Sequence, residues 1–178
     1  MFQVIIFAGI GGQGVLSMGT ILAHAAIREG KEVIFRPVYA GKMRGGRSNC
    51  IVSISDLPIA SPIVDQYDAV IALTLPSLKK FEFTVKQGGI LIWESTTIKE
   101  PPTRTDIRVY AVPAYMKAAA VLKNTKVTNM IMLGALVKIN PLVNKESLMA
   151  ALKETLPGRH HDLIPLNEKA IELGMNLV

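Results

Sequence analysis

A strand-length apolar run, Phe2-Gln3-Val4-Ile5-Ile6-Phe7-Ala8, leads directly into the glycine cluster Gly9-Ile10-Gly11-Gly12-Gln13-Gly14, and a helical pattern from Val15 to Ala23 follows without a break. Few folds accept that order of signals. Strand, glycine turn and helix in immediate succession open a βαβ unit, and Gly9, Gly11 and Gly14 fit the G-x-G-x-x-G spacing of nucleotide-binding sheets. Glycine reaches backbone angles that a side chain forbids and lets another backbone or a phosphate come close. The first N–H groups of the following helix lack intrahelical partners and carry partial positive charge. Gly9, Gly11, Gly12, Gln13 and Gly14 therefore form a candidate anion seat. A turn that only packs helix against strand would satisfy the same residues.

A dinucleotide meets one obstacle. Its ribose is ordinarily held by an acid at the end of the second strand, about 20 residues beyond the glycines. Here the second strand reads Glu32-Val33-Ile34-Phe35 and ends in Arg36-Pro37, with no acid in that place. Arg36 suits a 2′-phosphate, so an NADP-binding domain is one reading. A different anionic ligand, or no ligand, are the others.

The rest of the pattern is α/β. Cys50 to Ser55 reads as a third strand. Asp68 to Leu73 is a continuous apolar strand of the kind buried on both faces of a parallel sheet. Pro76 opens a helix running to about Lys86, and Gln87-Gly88-Gly89 turns into the strand Ile90 to Glu94. Ile107 to Val112 is a further strand, followed by a helix from Ala114 to Leu122. Thr128 or Asn129 caps an almost wholly apolar helix through Val137. Asn144 caps a helix to about Leu156, Gly158 to His161 is a loop, and Leu163 to Leu173 is a last helix stopped by Gly174. The expectation is a single domain, residues 1–178, built as a three-layer α/β/α sandwich, Rossmann-like, on a largely parallel sheet.

Composition narrows the function. Hydrophobic residues make up 49% of the 178, yet no apolar run reaches the roughly 18 residues of a membrane span. That surplus points to a surface partly buried by partners, with the isolated chain a candidate homodimer through its apolar helix. Cys50 is the single cysteine, which excludes an internal disulfide and a cysteine-ligated cluster or structural zinc site within this chain. It sits in an apolar strand as a buried thiol. With no leader or span in view, the expected compartment is the cytoplasm.

Net charge is +6, and residues 1–50 hold six basic side chains against two acidic ones, a net of +4 concentrated between Arg28 and Arg47. Without aromatic interleaving or a recognised motif, nucleic acid fits this stretch less well than a phosphorylated small molecule or an acidic protein surface. The loop Pro37 to Asn49 carries three cations and the pair Gly45-Gly46. Arg44 beside exposed glycine N–H groups suits a carboxylate or phosphate. No Ser/Cys–His–acid set and no P-loop is present. His24 falls inside a helix, and His160-His161 lack a third metal ligand nearby. Catalytic and metal-binding residues are thus not expected here.

The blocks Gly9-x-Gly11-Gly12-Gln13-Gly14, Tyr39-x4-Arg44-Gly45-Gly46, Ile54-Ser55-Asp56, Gly88-Gly89 and Asn129-Met130-x2-Leu133-Gly134 follow in the order found in the gamma subunit of 2-oxoacid:ferredoxin oxidoreductases. The chain resembles that family along essentially its whole length. The resemblance implies a multi-subunit enzyme that oxidatively decarboxylates a 2-oxoacid, with 2-oxoglutarate favoured, to an acyl-CoA. It implies thiamine diphosphate and iron–sulfur clusters held by alpha, beta and ferredoxin-like companion subunits, with ferredoxin as acceptor. Tyr39, Arg44, Gly45 and Gly46, together with the glycine turn, become the candidate set for holding coenzyme A phosphates or ordering the catalytic subunit. One departure stands out. The family usually has Tyr-Gly-x-Glu-x-Arg-Gly-Gly, and this chain places Lys42 where the acid is usual, reversing the charge at the centre of the loop. A non-catalytic scaffold subunit is the reading furthest from an enzyme.

Overall fold

The computed structural model describes residues 1–39, 46–61 and 63–178. Among them six strands form one sheet: β1 (Phe2–Ile10), β2 (Glu32–Tyr39), β3 (Arg47–Ser55), β4 (Tyr67–Ala72), β5 (Val85–Glu94) and β6 (Arg108–Val112), in the spatial order β2-β3-β1-β4-β5-β6. β1, β4, β5 and β6 are parallel, while β3 runs antiparallel to both its neighbours. The sheet is largely parallel, as expected, but the second strand does not lie beside the first. β2 and β3 form a hairpin, and β3 occupies the place next to β1.

The helices are α1 (Val15–Arg28), α2 (Leu75–Phe81), α3 (Ala114–Leu122), α4 (Thr128–Ile139), α5 (Lys145–Thr155) and α6 (Ile164–Met175). Strand side chains alternate between faces. Ile5, Phe7, Val52, Ile71 and Ile92 bury one face against α1, α3, α4, α5 and α6. Val4, Ile6, Ile51, Val70 and Leu91 bury the other against α2 and Ile98. The three layers are there, with very unequal outer ones. No described helix is long and apolar enough to cross a membrane.

Several boundaries moved, each for a physical reason. β2 runs on through Arg36 and Pro37 to Tyr39, because it is an edge strand whose outer row of N–H groups is unpaired, and a proline there costs no ladder bond. β3 correspondingly begins at Arg47 rather than Cys50. α2 stops at Phe81 and a 3-10 turn, Glu82–Thr84, replaces its expected last turn. The Glu82 carboxylate is committed to the backbone N–H groups of Thr103 and Arg104, and Val85 already begins β5. The Gln87-Gly88-Gly89 turn survives as an irregularity inside β5. Thr128 and Asn129 do not cap α4. A 3-10 turn, Thr125–Val127, precedes that helix, and Asn124 caps the turn through Lys126 N–H at 3.0 Å. Gly158–Leu163 is likewise a 3-10 turn, not a loop.

Gly174 lies inside α6 instead of ending it. A Cβ there would overlap the Ile131 carbonyl, and one on Gly134 would overlap the Ile171 carbonyl. The two glycines let α4 and α6 pack backbone against backbone. α4 is thereby enclosed by its own chain, with Ile131, Met132, Leu133, Ala135 and Leu136 fully buried, so self-association through this apolar helix is closed off.

Candidate functional site

The carboxyl ends of β1, β4 and β5 meet at one edge of the sheet. α1 leaves β1 toward one face and α2 leaves β4 toward the other, which makes the β1–β4 boundary the switch point at which open α/β sheets take ligands.

The glycine turn divides its residues between packing and surface. Gln13 folds back over the turn: Ile10 N–H donates to its Oε1 at 2.9 Å, and its own N–H donates to the Ile10 carbonyl at 3.2 Å. A Cβ on Gly9 would stand 2.5 Å from Gln13 Oε1 and 2.9 Å from Val15 Cγ2. Gly14 caps α1 at φ 69°, in the left-handed region, with the Asn129 amide where its Cβ would be. Asn129 Nδ2 donates to the Gly14 carbonyl at 3.3 Å and ties α4 to the turn. Gly11 N–H donates to the Gly46 carbonyl at 2.9 Å. Gly9 and Gly14 are thus consumed by close packing, and the Gly11 N–H by the backbone of the hairpin. Gly12, at φ 99° with nothing near its Cβ position, and Gln13 face a cleft.

The register puts the hairpin ends at the same edge: Ile10 pairs with Arg47, Gly9 with Ser48, and Ser48 with Tyr39. Tyr39 and Gly46 are therefore brought to the glycine turn by backbone pairing. Arg44 and Gly45 lie outside the described residues. Arg36 does not reach the turn. It pairs with Ile51 in mid-strand and shares the face of Ile6, opposite α1, with its Nε buried and unpartnered among the described residues. The 2′-phosphate role sketched for it has no geometry.

The cleft encloses about 230 Å³ and is lined by Gly12, Gln13, Leu73, Glu94, Thr97, Tyr115, Thr125, Lys126, Thr128 and Asn129. Glu94, at the end of β5, is only 2% exposed. Burial works to raise its pKa, but hydrogen bonds outweigh it and hold the carboxyl below the usual range. Thr97 donates from N–H at 2.7 Å and Oγ1 at 2.6 Å, Tyr115 N–H at 3.0 Å and Thr96 N–H at 3.2 Å. This carboxylate stays ionised and joins the 96–97 turn to the start of α3. Exposed Lys126 stands on the rim in no ion pair among the described residues. Across the β1–β4 crevice a smaller hollow gathers Gly9, Arg47, Asn49, Thr74, Ser77 and Lys80.

Sequence reasoning missed Glu94, Thr97, Tyr115 and Lys126, because they come from separate elements (the end of β5, the turn after it, the start of α3 and the 3-10 turn before α4) that only the fold brings together. Asn129 was visible as the head of a family block, though not as the residue that pins the turn. Cys50 is fully buried, its Sγ donates to the Val15 carbonyl at 3.4 Å, and burial pushes its thiol up to about 12.

A model of the pyruvate ferredoxin/flavodoxin oxidoreductase family matches residues 4–177. The chain is 38% identical over 168 residues to ketoisovalerate oxidoreductase subunit VorA of Methanothermobacter thermautotrophicus, covering 94% of this chain and 34% of that protein. It is 33% identical over 159 residues to 2-oxoglutarate synthase subunit KorC of Methanocaldococcus jannaschii, covering 88% of this chain and 85% of that protein. The solved gamma subunit of a keto/oxoacid ferredoxin oxidoreductase from Geobacter sulfurreducens superposes with a TM-score of 0.86 at 31% identity, over 99% of this chain and 96% of that one. The chain spans about a third of the length of VorA, the first of these relatives.

Proposed function

Since this chain belongs to the pyruvate ferredoxin/flavodoxin oxidoreductase family, we propose that it is the gamma-type subunit of a cytoplasmic 2-oxoacid:ferredoxin oxidoreductase. The complex would convert a 2-oxoacid such as 2-oxoglutarate to an acyl-CoA and carbon dioxide while reducing ferredoxin. Thiamine diphosphate and the iron–sulfur clusters belong to the alpha, beta and ferredoxin-like companions. This chain's residues do not fit a cluster, because its one cysteine is sealed in the core with a thiol held far from ionisation.

The observation that carries the reading is the cleft at the β1–β4 switch point, with Lys126 on its rim and Arg47 and Lys80 across the crevice. Cations beside a glycine-lined backbone suit the phosphates of coenzyme A. In this role Gly12, Gln13 and Lys126 flank the anion, with Tyr39, Arg44, Gly45 and Gly46 supplied from the β2–β3 hairpin. Thr97 and Tyr115, held by Glu94, shape the opposite wall.

The test is steady-state kinetics of the assembled enzyme. Lys126→Ala and Arg44→Ala should each raise the KM for coenzyme A about tenfold with little change in kcat, the loss expected for one charge-assisted hydrogen bond. Unchanged KM in both variants of an intact complex removes the coenzyme A role and leaves a scaffold subunit. Calorimetric binding of NADPH to the isolated chain would favour the nucleotide-binding alternative instead.

A further inference from the structure

Residues 108–145, from the start of β6 to the start of α5, contain no aspartate or glutamate and six basic residues. The modest net charge of the chain beyond residue 50 conceals this concentration. Within the stretch, α3 turns Ala118 into the core and presents Tyr115, Met116, Ala119, Ala120 and Val121 to solvent. Met116 is 47% exposed and Val121 57%. Lys117 and Lys123 stand on the same helix and at its C-cap, and Arg108 begins the adjoining edge strand. None of these three cations is in an ion pair among the described residues, whereas cations elsewhere in the chain, such as Arg28, Lys79 and Lys86, are.

We propose that the exposed face of α3 is the docking surface for an acidic patch on a companion subunit of the complex. The inference rests on the subunit reading above. An apolar centre ringed by cations matches the anatomy of a protein interface, with apolar anchors inside and charge at the rim. It does not match a nucleic-acid groove, where the centre itself is cationic. Complementary charge calls for an acidic opposing rim, since Arg108, Lys117 and Lys123 have no acidic partner among the described residues. In VorA the segment similar to this chain is 34% of the polypeptide, so that relative carries further chain joined to a domain like this one. Tyr115 belongs both to α3 and to the cleft lining, so a partner seated here closes over the mouth of the cleft.

The experiment co-produces the full chain with its companion subunits and measures assembly by sedimentation. Amide hydrogen exchange is recorded on the chain alone and in the complex. Met116→Glu with Val121→Glu should weaken assembly at least about tenfold, as loss of central apolar anchors does. Lys117→Glu with Lys123→Glu should weaken it and flatten its dependence on salt, and the amides of residues 108–123 should gain protection on assembly. Met116, Val121 and Lys123 are exposed and Lys117 is half-buried, and circular dichroism of each variant confirms that it folds. A complex that forms normally with these variants and leaves 108–123 unprotected sinks this inference alone. Failure of the wild-type chain to bind any companion sinks the subunit reading and this inference together. Self-association of the chain through α3, or binding of a duplex oligonucleotide that the same variants abolish, assigns the face to another occupant and overturns the proposal.

Discussion

A carboxylate with almost none of its surface in water keeps its charge only if donors replace the lost solvent, and Glu94 has four. Those donors come from the turn after β5 and from the start of α3, so one side chain fixes two walls of the cleft. Glu94→Gln preserves the shape but presents an N–H₂ group to donors, at a cost of about 2 kcal/mol. For a chain of this length that corresponds to a melting temperature lower by about 4–8 °C, read by calorimetry at neutral pH. The sign of the pH dependence follows from the lowered pKa. The native state favours the ionised form, so the stabilisation is complete above the ordinary carboxylate range and is lost as pH falls through the folded-state value. The gap between wild type and variant should therefore narrow on acidification, and a gap independent of pH would refute the ionised assignment. Sequence inspection passed over this residue because an acid closing an apolar strand looks like any solvent-facing terminus.

Among elements, α4 and α6 illustrate how a pattern can be read correctly and its meaning missed. The apolar character of α4 was plain, but a helix apolar all round is buried by its own domain or by a partner, and periodicity does not say which. Gly134 and Gly174 decide the matter by allowing backbone contact between the two helices. Gly174→Ala should cost about 3 kcal/mol or more, because the obstacle is a carbonyl that has nowhere to move. Gly158→Ala, in open space, should be neutral or slightly stabilising. Urea titrations of the two variants against wild type check the contrast, and equal midpoints would mean that the helices stand further apart. The β2–β3 hairpin shows a similar limit. Both strands were legible, but their pairing depends on which edge of the sheet remains free, which is a property of the whole sheet.

At the scale of the molecule, both hydrophobic layers share one sheet, so losing either exposes the other. We expect residues 1–178 to unfold as a single domain with calorimetric and van't Hoff enthalpies equal, and two resolved transitions would contradict it. The uneven layers and the acid-free stretch around α3 fit the proposed role of a domain that companion subunits complete. Local order of signals along the chain, from strand through glycine turn to helix, determined the fold class, because it depends on residues adjacent in sequence, and the family was legible in the order of short blocks spread along the whole chain. Tertiary structure alone decided that β3 separates β1 from β2, that Gly9 and Gly14 serve packing while Gly12 and Gln13 face the cleft, and that Glu94, Thr97, Tyr115, Lys126 and Asn129 converge there. Those facts rest on contacts between residues up to 115 positions apart, such as Asn129 and Gly14, and no local pattern encodes a contact whose partners meet only when the sheet has closed between them.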